Sequence, residues 1–167
     1  MSDTSDTRYL VKFLVTSAAC FFIGTIHGVL QVIRPVRAWL DAIGSPYGGP
    51  GHLIDPLAHA HINTVGGVVI FLMGATYYLL PKMLGSPLFS KRLVNHTYWW
   101  TTLGIAGFYS TLMIFGTIEG YLLLNEPERM AGVHRYYGPI ISVVSSIMGV
   151  GFWVFFANLF LTVKRSK

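Results

Sequence analysis

Apolar residues in this chain do not alternate with polar ones; they gather in four long runs, at about 10–33, 57–80, 98–124 and 137–163. Each is long enough to cross the hydrocarbon layer of a bilayer, which takes about 20 helical residues. Lipid offers no hydrogen bonds, so a run of this kind must satisfy its own backbone and be helical. The pattern predicts an all-α fold, an integral membrane four-helix bundle forming a single transmembrane domain over residues 1–167. Gly66, Gly67, Gly74, Gly104, Gly107, Gly149 and Gly151 lie inside the runs, where small residues suit close helix approach.

Three connections join the runs. The first, RPVRAWLDAIGSPYGGPGHLIDP, is too rich in Gly and Pro for a regular helix throughout. The second, 81–96, is short and basic, and the third, NEPERMAGVHR, is short and mixed. Composition strengthens the membrane reading. Hydrophobic residues make up 53% and charged residues 11%, where soluble domains carry about 25% charged residues. No room is left for a separate soluble domain. The formal charge of +5 points to no nucleic acid, because the basic residues sit between the runs and at the C-terminus. Arg8, Lys12, Lys82, Lys91, Arg92, Lys164, Arg165 and Lys167 fall on one side, against Arg34, Arg37, Arg129 and Arg135 on the other. The positive-inside rule then places both termini in the cytoplasm of a bacterial or archaeal cell, with the first and third loops outside. Cys20 is alone, which excludes an intrachain disulfide, and no C-x-x-C-H haem attachment or Cys/His zinc pattern occurs. The N-terminal MSDTSDTRYLVKFL leads into an apolar segment too long for a signal-peptide core, so the first helix is expected to be retained.

The histidines carry the candidate chemistry. With this topology His27, His52, His59, His61 and His134 gather at the outer side, and only His96 lies at the cytoplasmic side. Imidazole is costly in hydrocarbon, which makes an intramembrane histidine a functional-site hypothesis. His52 and His96 are expected to be interfacial groups bonded to carbonyls, and His134 is open between the two roles. A b-type haem needs one or two axial imidazoles, an apolar slot and polar partners for its propionates. His27 with His61 or His59 would offer one imidazole from each of two helices at similar depth. Arg34, Arg129 or Arg135 would meet the propionates. Residues two apart on a helix point roughly 200° from each other, so His59 and His61 are not expected to serve one iron. Glu119 is another costly group: a hydrogen-bond partner, a proton-path residue or a snorkelling side chain. Tyr77-Tyr78, Tyr98-Trp99-Trp100 and Tyr136-Tyr137 are expected to form interfacial belts.

These segments also resemble a known family. PLAHAHINTVGGVVIFLMGATYYLLPKMLGSPLFSKRLVNHTYWW resembles the tenth helix and following loop of the haem-copper oxidase catalytic subunit, with cbb-type cytochrome oxidases and bacterial nitric oxide reductases the most similar branches. WWTTLGIAGFYSTLMIFGTIEGYLLL resembles the eleventh helix and VHRYYGPIISVVSSIMGVGFWVFFANLFLT the twelfth; GTIHGVLQVIRPVRAWL resembles the ninth loosely. The resemblance implies a shortened, four-helix relative of the oxidase core. It implies that His59 is the high-spin haem ligand and His61 the low-spin ligand. The family's second low-spin ligand comes from an early helix without a counterpart here, and His27 is the substitute. The three further histidines of the family's copper site, or the histidines and glutamate of its non-haem iron site, have no counterpart in this sequence. No copper is expected, and the chain alone is not expected to reduce oxygen or nitric oxide.

The expected function is electron transfer at the outer (periplasmic) face by a membrane-bound b-type cytochrome with one or two haem b groups. Its partners would be lipid and other redox subunits, with cytochrome c or quinol as donor, in an oligomer or respiratory complex. The weight falls on His61 with His27 as one low-spin site. The alternative is a haem-bearing subunit of a split oxygen or nitric oxide reductase, or a gas-binding haem protein with an open coordination position. A structural subunit without haem ranks third.

Overall fold

A computed structural model describes residues 4–166; Lys167 and the first three residues of the polar tail lie outside the described residues. A short 3-10 turn, Thr4–Leu10, leads into α1, Val11–Val32. A short helix α2, Arg34–Ala42, follows directly. The second crossing, α3, runs Gly49–Leu84 and is interrupted at Asp55. The third, α4, is Lys91–Asn125; α5, Pro127–His134, turns the chain into α6, Tyr137–Arg165. Among the described residues, four helices are long and apolar enough to cross a membrane, as the hydropathy pattern predicts.

The helix ends differ from the apolar runs, for a local reason. Ser90 caps α4, its Oγ accepting from the Leu93 N–H at 3.3 Å, so the polar stretch from Lys91 to His96 is already helical. At the other end of that loop α3 continues past Pro81 and stops at Gly85, whose φ of 62° is the left-handed conformation glycine adopts without a Cβ clash. The first connection is not open chain. Its α2 packs Trp39 and Ile43 onto Gly120 of α4, and the next segment sets Ile54 against Gly116. Leu40, Ile43 and Ile54 form a small core there.

The main core lies toward the opposite, basic end and contains Phe13, Ile70, Met73, Tyr77, Val94 and Ile105. Tyr77 belongs to this core and not to an interfacial belt: it is 1% exposed and its hydroxyl meets Thr97 Oγ1 at 2.8 Å. Tyr78, Trp99, Trp100 and Tyr136 are exposed. Helices α1 and α3 run antiparallel through small residues. Asn63 of α3 fills the space over Gly24, Cys20 lies on Gly66, and the Ser17 hydroxyl donates to the Gly67 carbonyl at 2.7 Å. The most extensive packing is between α4 and α6, where Gly104 meets the Met148 backbone and Gly151 meets Thr101. Asn158 of α6 ties the loop before α4: its Oδ1 accepts from Ser90 N at 3.2 Å and its Nδ2 donates to Ser90 O at 3.1 Å.

These contacts separate two kinds of glycine. Gly104→Ala forces a Cβ into the Met148 backbone, whereas Gly149 faces open space. We expect Gly104→Ala to lose about 1–3 kcal/mol, the usual cost of overpacking. Gly149→Ala is expected to be neutral or slightly stabilising through the unfolded chain. Thermal melts of the two variants in one detergent check the contrast.

Candidate functional site

The His59-Ala60-His61 turn is built by what precedes it. Asp55 has φ −131° and ψ 111°, an extended conformation inside an otherwise helical segment. Pro56 follows it, with no N–H to donate and φ held near the helical value, and restarts the helix. The backbone on both sides of the turn, Leu53–Ala58 and Ile62–Val69, is wound wider than an α-helix, in π fashion. Such stretches recur at functional sites because they re-aim side chains.

The two imidazoles leave the helix in different directions. His59 faces α1, where its ring centroid is 5.4 Å from that of His27 with the planes at 61°. Its Nε2 lies against Gly28; a Cβ at that position would stand 3.0 Å away. His61 instead lies on Phe108 of α4, with centroids 4.7 Å apart. Its Nδ1 is 2.8 Å from the Leu57 carbonyl oxygen. A carbonyl only accepts, so Nδ1 carries the proton and Nε2 keeps its lone pair. Metal-binding histidines are commonly oriented in this way, one nitrogen donating to a carbonyl while the other ligates.

His27 is buried, and both its ring nitrogens are engaged. Nε2 faces the Gln31 amide nitrogen at 3.0 Å, and Nδ1 faces the Tyr109 hydroxyl at 3.2 Å. An amide nitrogen donates, so Nε2 accepts and the ring is neutral, with Nδ1–H directed at Tyr109. The structure therefore brings His27 and His59 together, while His61 has its ring contact elsewhere. Two grooves border His27. One of about 270 Å³ runs between Ile26, Leu30, Tyr109 and Met113. The other, about 160 Å³, reaches Gln31, Trp39 and Thr117. Both fall below the roughly 300 Å³ at which small-molecule pockets begin. Of the three histidines, His61 has the donor set that fits an axial haem ligand. His27 would have to give up a present hydrogen bond, and His59 has none that orients its ring. Among the described residues, no three of His, Cys, Asp and Glu converge closely enough to hold a metal ion.

The other candidates sort by their neighbours. Arg34 is exposed at the start of α2. Arg135 donates to Tyr136 Oη at 2.6 Å and lies over that ring, and Arg129 is taken by Glu126. His52 is the carbonyl-bound group expected, with Nδ1 2.5 Å from Pro46 O, and His96 is exposed. Glu119 does not snorkel. It is 3% exposed, both carboxylate oxygens are 3.1 Å from His134 Nδ1, and His134 stacks on Tyr137. Pattern reading missed four participants. Gln31 carried a signal, being polar and one turn from His27 on the same face of an apolar run. Tyr109 and Phe108 carried none, because only the packing of α1 and α3 on α4 brings them in; the Leu57 carbonyl, one turn before His61, is a backbone group that no side-chain pattern marks.

Comparison with known proteins identifies the family. The family described as Cytochrome C and Quinol oxidase polypeptide I matches residues 5–138. The chain belongs to that family, whose members are helical membrane proteins. It is similar to the Cytochrome c oxidase subunit 1 homolog of Agrobacterium tumefaciens (strain T37), 26% identical over 81% of this chain and 25% of the relative. It is 27% identical to the Cbb3-type cytochrome c oxidase subunit CcoN1 of Stutzerimonas stutzeri over 68% of this chain and 22% of that one. Cytochrome c oxidase subunit 1 of Rhodobacter capsulatus is 25% identical over 98% of this chain and 31% of its own. The chain thus spans between a fifth and a third of the length of these relatives.

The Glu119–His134 pair generates a prediction. His134→Ala strips a buried carboxylate of its hydrogen-bond partner and is expected to cost about 1–3 kcal/mol. Glu119→Gln, which removes the charge, should make the His134→Ala loss smaller in the double variant. A double-mutant cycle of unfolding midpoints reads the coupling.

Proposed function

We propose that this chain is a haem-carrying membrane subunit that passes electrons at the histidine end of the bundle. The observation that carries the proposal is His61. Its Nδ1–H is tied to Leu57 O and its Nε2 is left free, within the histidine turn that resembles that of the oxidases. When bound, a haem would supply a one-electron carrier whose potential is set by axial ligation, burial and hydrogen bonding.

Each residue has a part in this reading. His61 would offer the axial nitrogen and Phe108 would wall the ring. Arg34 and Arg135 are the basic groups for propionates. His59 and His27 complete the candidate ligand set, His59 from beside Gly28 and His27 from between Gln31 and Tyr109. The charge asymmetry supports a cytoplasmic position for both termini and an outer position for the histidine end. Relatives about three times longer, and named as oxidase subunits, support work within a larger assembly. Cytochrome c or quinol is the proposed electron source.

A second reading has its own support. His61 is the one imidazole of the three oriented through one ring nitrogen with the other left without a hydrogen bond, so a haem held by it alone would keep an open position for a diatomic gas. Carbon monoxide added to the reduced protein separates the two: a large Soret shift favours gas binding, and an unchanged spectrum favours two axial imidazoles.

The test is a pyridine haemochrome assay with protein quantitation on purified protein. We expect haem b at one or two per chain. His61→Ala should abolish or strongly reduce the Soret band, while His96→Ala, at the exposed opposite end, should leave it intact. A folded wild-type protein without haem would overturn the proposal.

A further inference from the structure

Arg37 stands at the centre of a closed set of polar contacts that the haem reading does not use. Its Nη1 donates to Asp55 Oδ2 at 2.7 Å. Its Nε meets Asp41 Oδ1 at 2.9 Å, and its Nη2 donates to Ser45 Oγ at 2.8 Å. Ser45 Oγ is in turn 3.0 Å from both the backbone oxygen and the Oδ2 of Asp55. The hydrogen bonds to Asp55, then to Asp41, push the Arg37 pKa above its ordinary value, so the guanidinium is charged throughout the working range. The set is mounted on fixed supports: Leu40 and Ile43 beside it are fully buried, and Trp39 and Ile43 rest on α4.

What these contacts hold is the conformation of a single residue. Asp55 is the extended step from which α3 restarts, two residues before Leu57 and six before His61. The Leu57 carbonyl fixes the His61 ring, so the direction of that carbonyl depends on how the helix leaves Asp55. We infer that Arg37 is a positioning residue for His61: it sets Asp55, Asp55 sets the first turn of the helix, and that turn presents Leu57 O to Nδ1. Only a planar guanidinium, with five donors in a fixed fork, reaches two carboxylates and a hydroxyl together; a lysine ammonium would not reproduce the geometry. This inference rests on the reading of His61 as a haem ligand, but its geometric part stands on the apo chain as well.

The experiment uses the whole 167-residue chain labelled with 15N-histidine, read without and with haem, for Arg37→Gln, Arg37→Lys, Asp55→Asn and Ser45→Ala. Asn158→Ala, at the opposite end of the bundle, serves as a destabilised control. We expect the His61 Nδ1–H signal to be lost or divided between tautomers in Arg37→Gln and Asp55→Asn, with an intermediate response in Arg37→Lys. Haem retention should weaken about tenfold to a hundredfold, as when a residue orienting a ligand is removed. An unchanged His61 signal in the folded variants overturns the inference, as does an equal change in Asn158→Ala. Should Arg37→Gln not fold, Ser45→Ala and Asp55→Asn decide by the same criterion. Haem-free wild-type protein with an Arg37-dependent His61 signal would sink the functional reading and leave the positioning intact.

Discussion

Hydrocarbon does not tolerate an unpaired polar group, and the bundle is arranged around that constraint. Without water, a buried donor or acceptor is stable only with a partner within the chain; among the described residues the buried hydroxyls of Ser86 and Thr102 are the side-chain exceptions. The paired groups are not scattered. Tyr77 with Thr97 and Asn158 with the Ser90 backbone close the basic end. His27 with Gln31 and Tyr109, and Glu119 with His134, close the other. Between them the helices meet through Gly, Ser and Thr, whose small side chains bring backbones close and lose little rotamer freedom. Polar specificity is thus concentrated at the two ends, and close packing does the work in the middle.

The same constraint explains which features could be anticipated. Four crossings follow from run length alone, because nothing but a helix can carry 20 apolar residues through lipid. The ends of α3 and α4 do not follow, since their polar turns extend the helices beyond the apolar runs and depend on Ser90 and Gly85. The opposed directions of His59 and His61 follow from helical geometry. The neighbours of each ring do not, because Gly28, Phe108 and Tyr109 reach them from other helices. Arg37 entered only as one charge in a count; its grip on Asp55 needs the fold of the first connection. Glu119 was visible as a costly group, but its partner lies fifteen residues onward, across the turn between α4 and α5.

Family membership and local geometry bear on function in different ways. The family match places these helices among oxidase polypeptides without saying which part of the chemistry they perform. The geometry discriminates among the histidines. Burial and complete hydrogen bonding make His27 a well-satisfied core group, and His59 lies over Gly28 with no hydrogen bond to orient its ring. His61, half-buried and anchored through one nitrogen, is left as the ring with chemistry to offer. A neutral, carbonyl-bound imidazole is a stronger donor than an unsupported one, and that is where the present arrangement spends its second hydrogen bond.

The seam between α1 and α3 sets how these helices can move. On α1 the notches at Gly24 and Gly28 are four residues apart; on α3 the matching projections, Asn63 and His59, are also four apart. Two teeth in two notches fit in one position only: a slide of one helical turn, about 5.4 Å, would bring one projection to a glycine but drive the other onto Val32 or Cys20. Axial sliding is therefore blocked in both directions, and the depth of the His59 ring in the membrane is fixed.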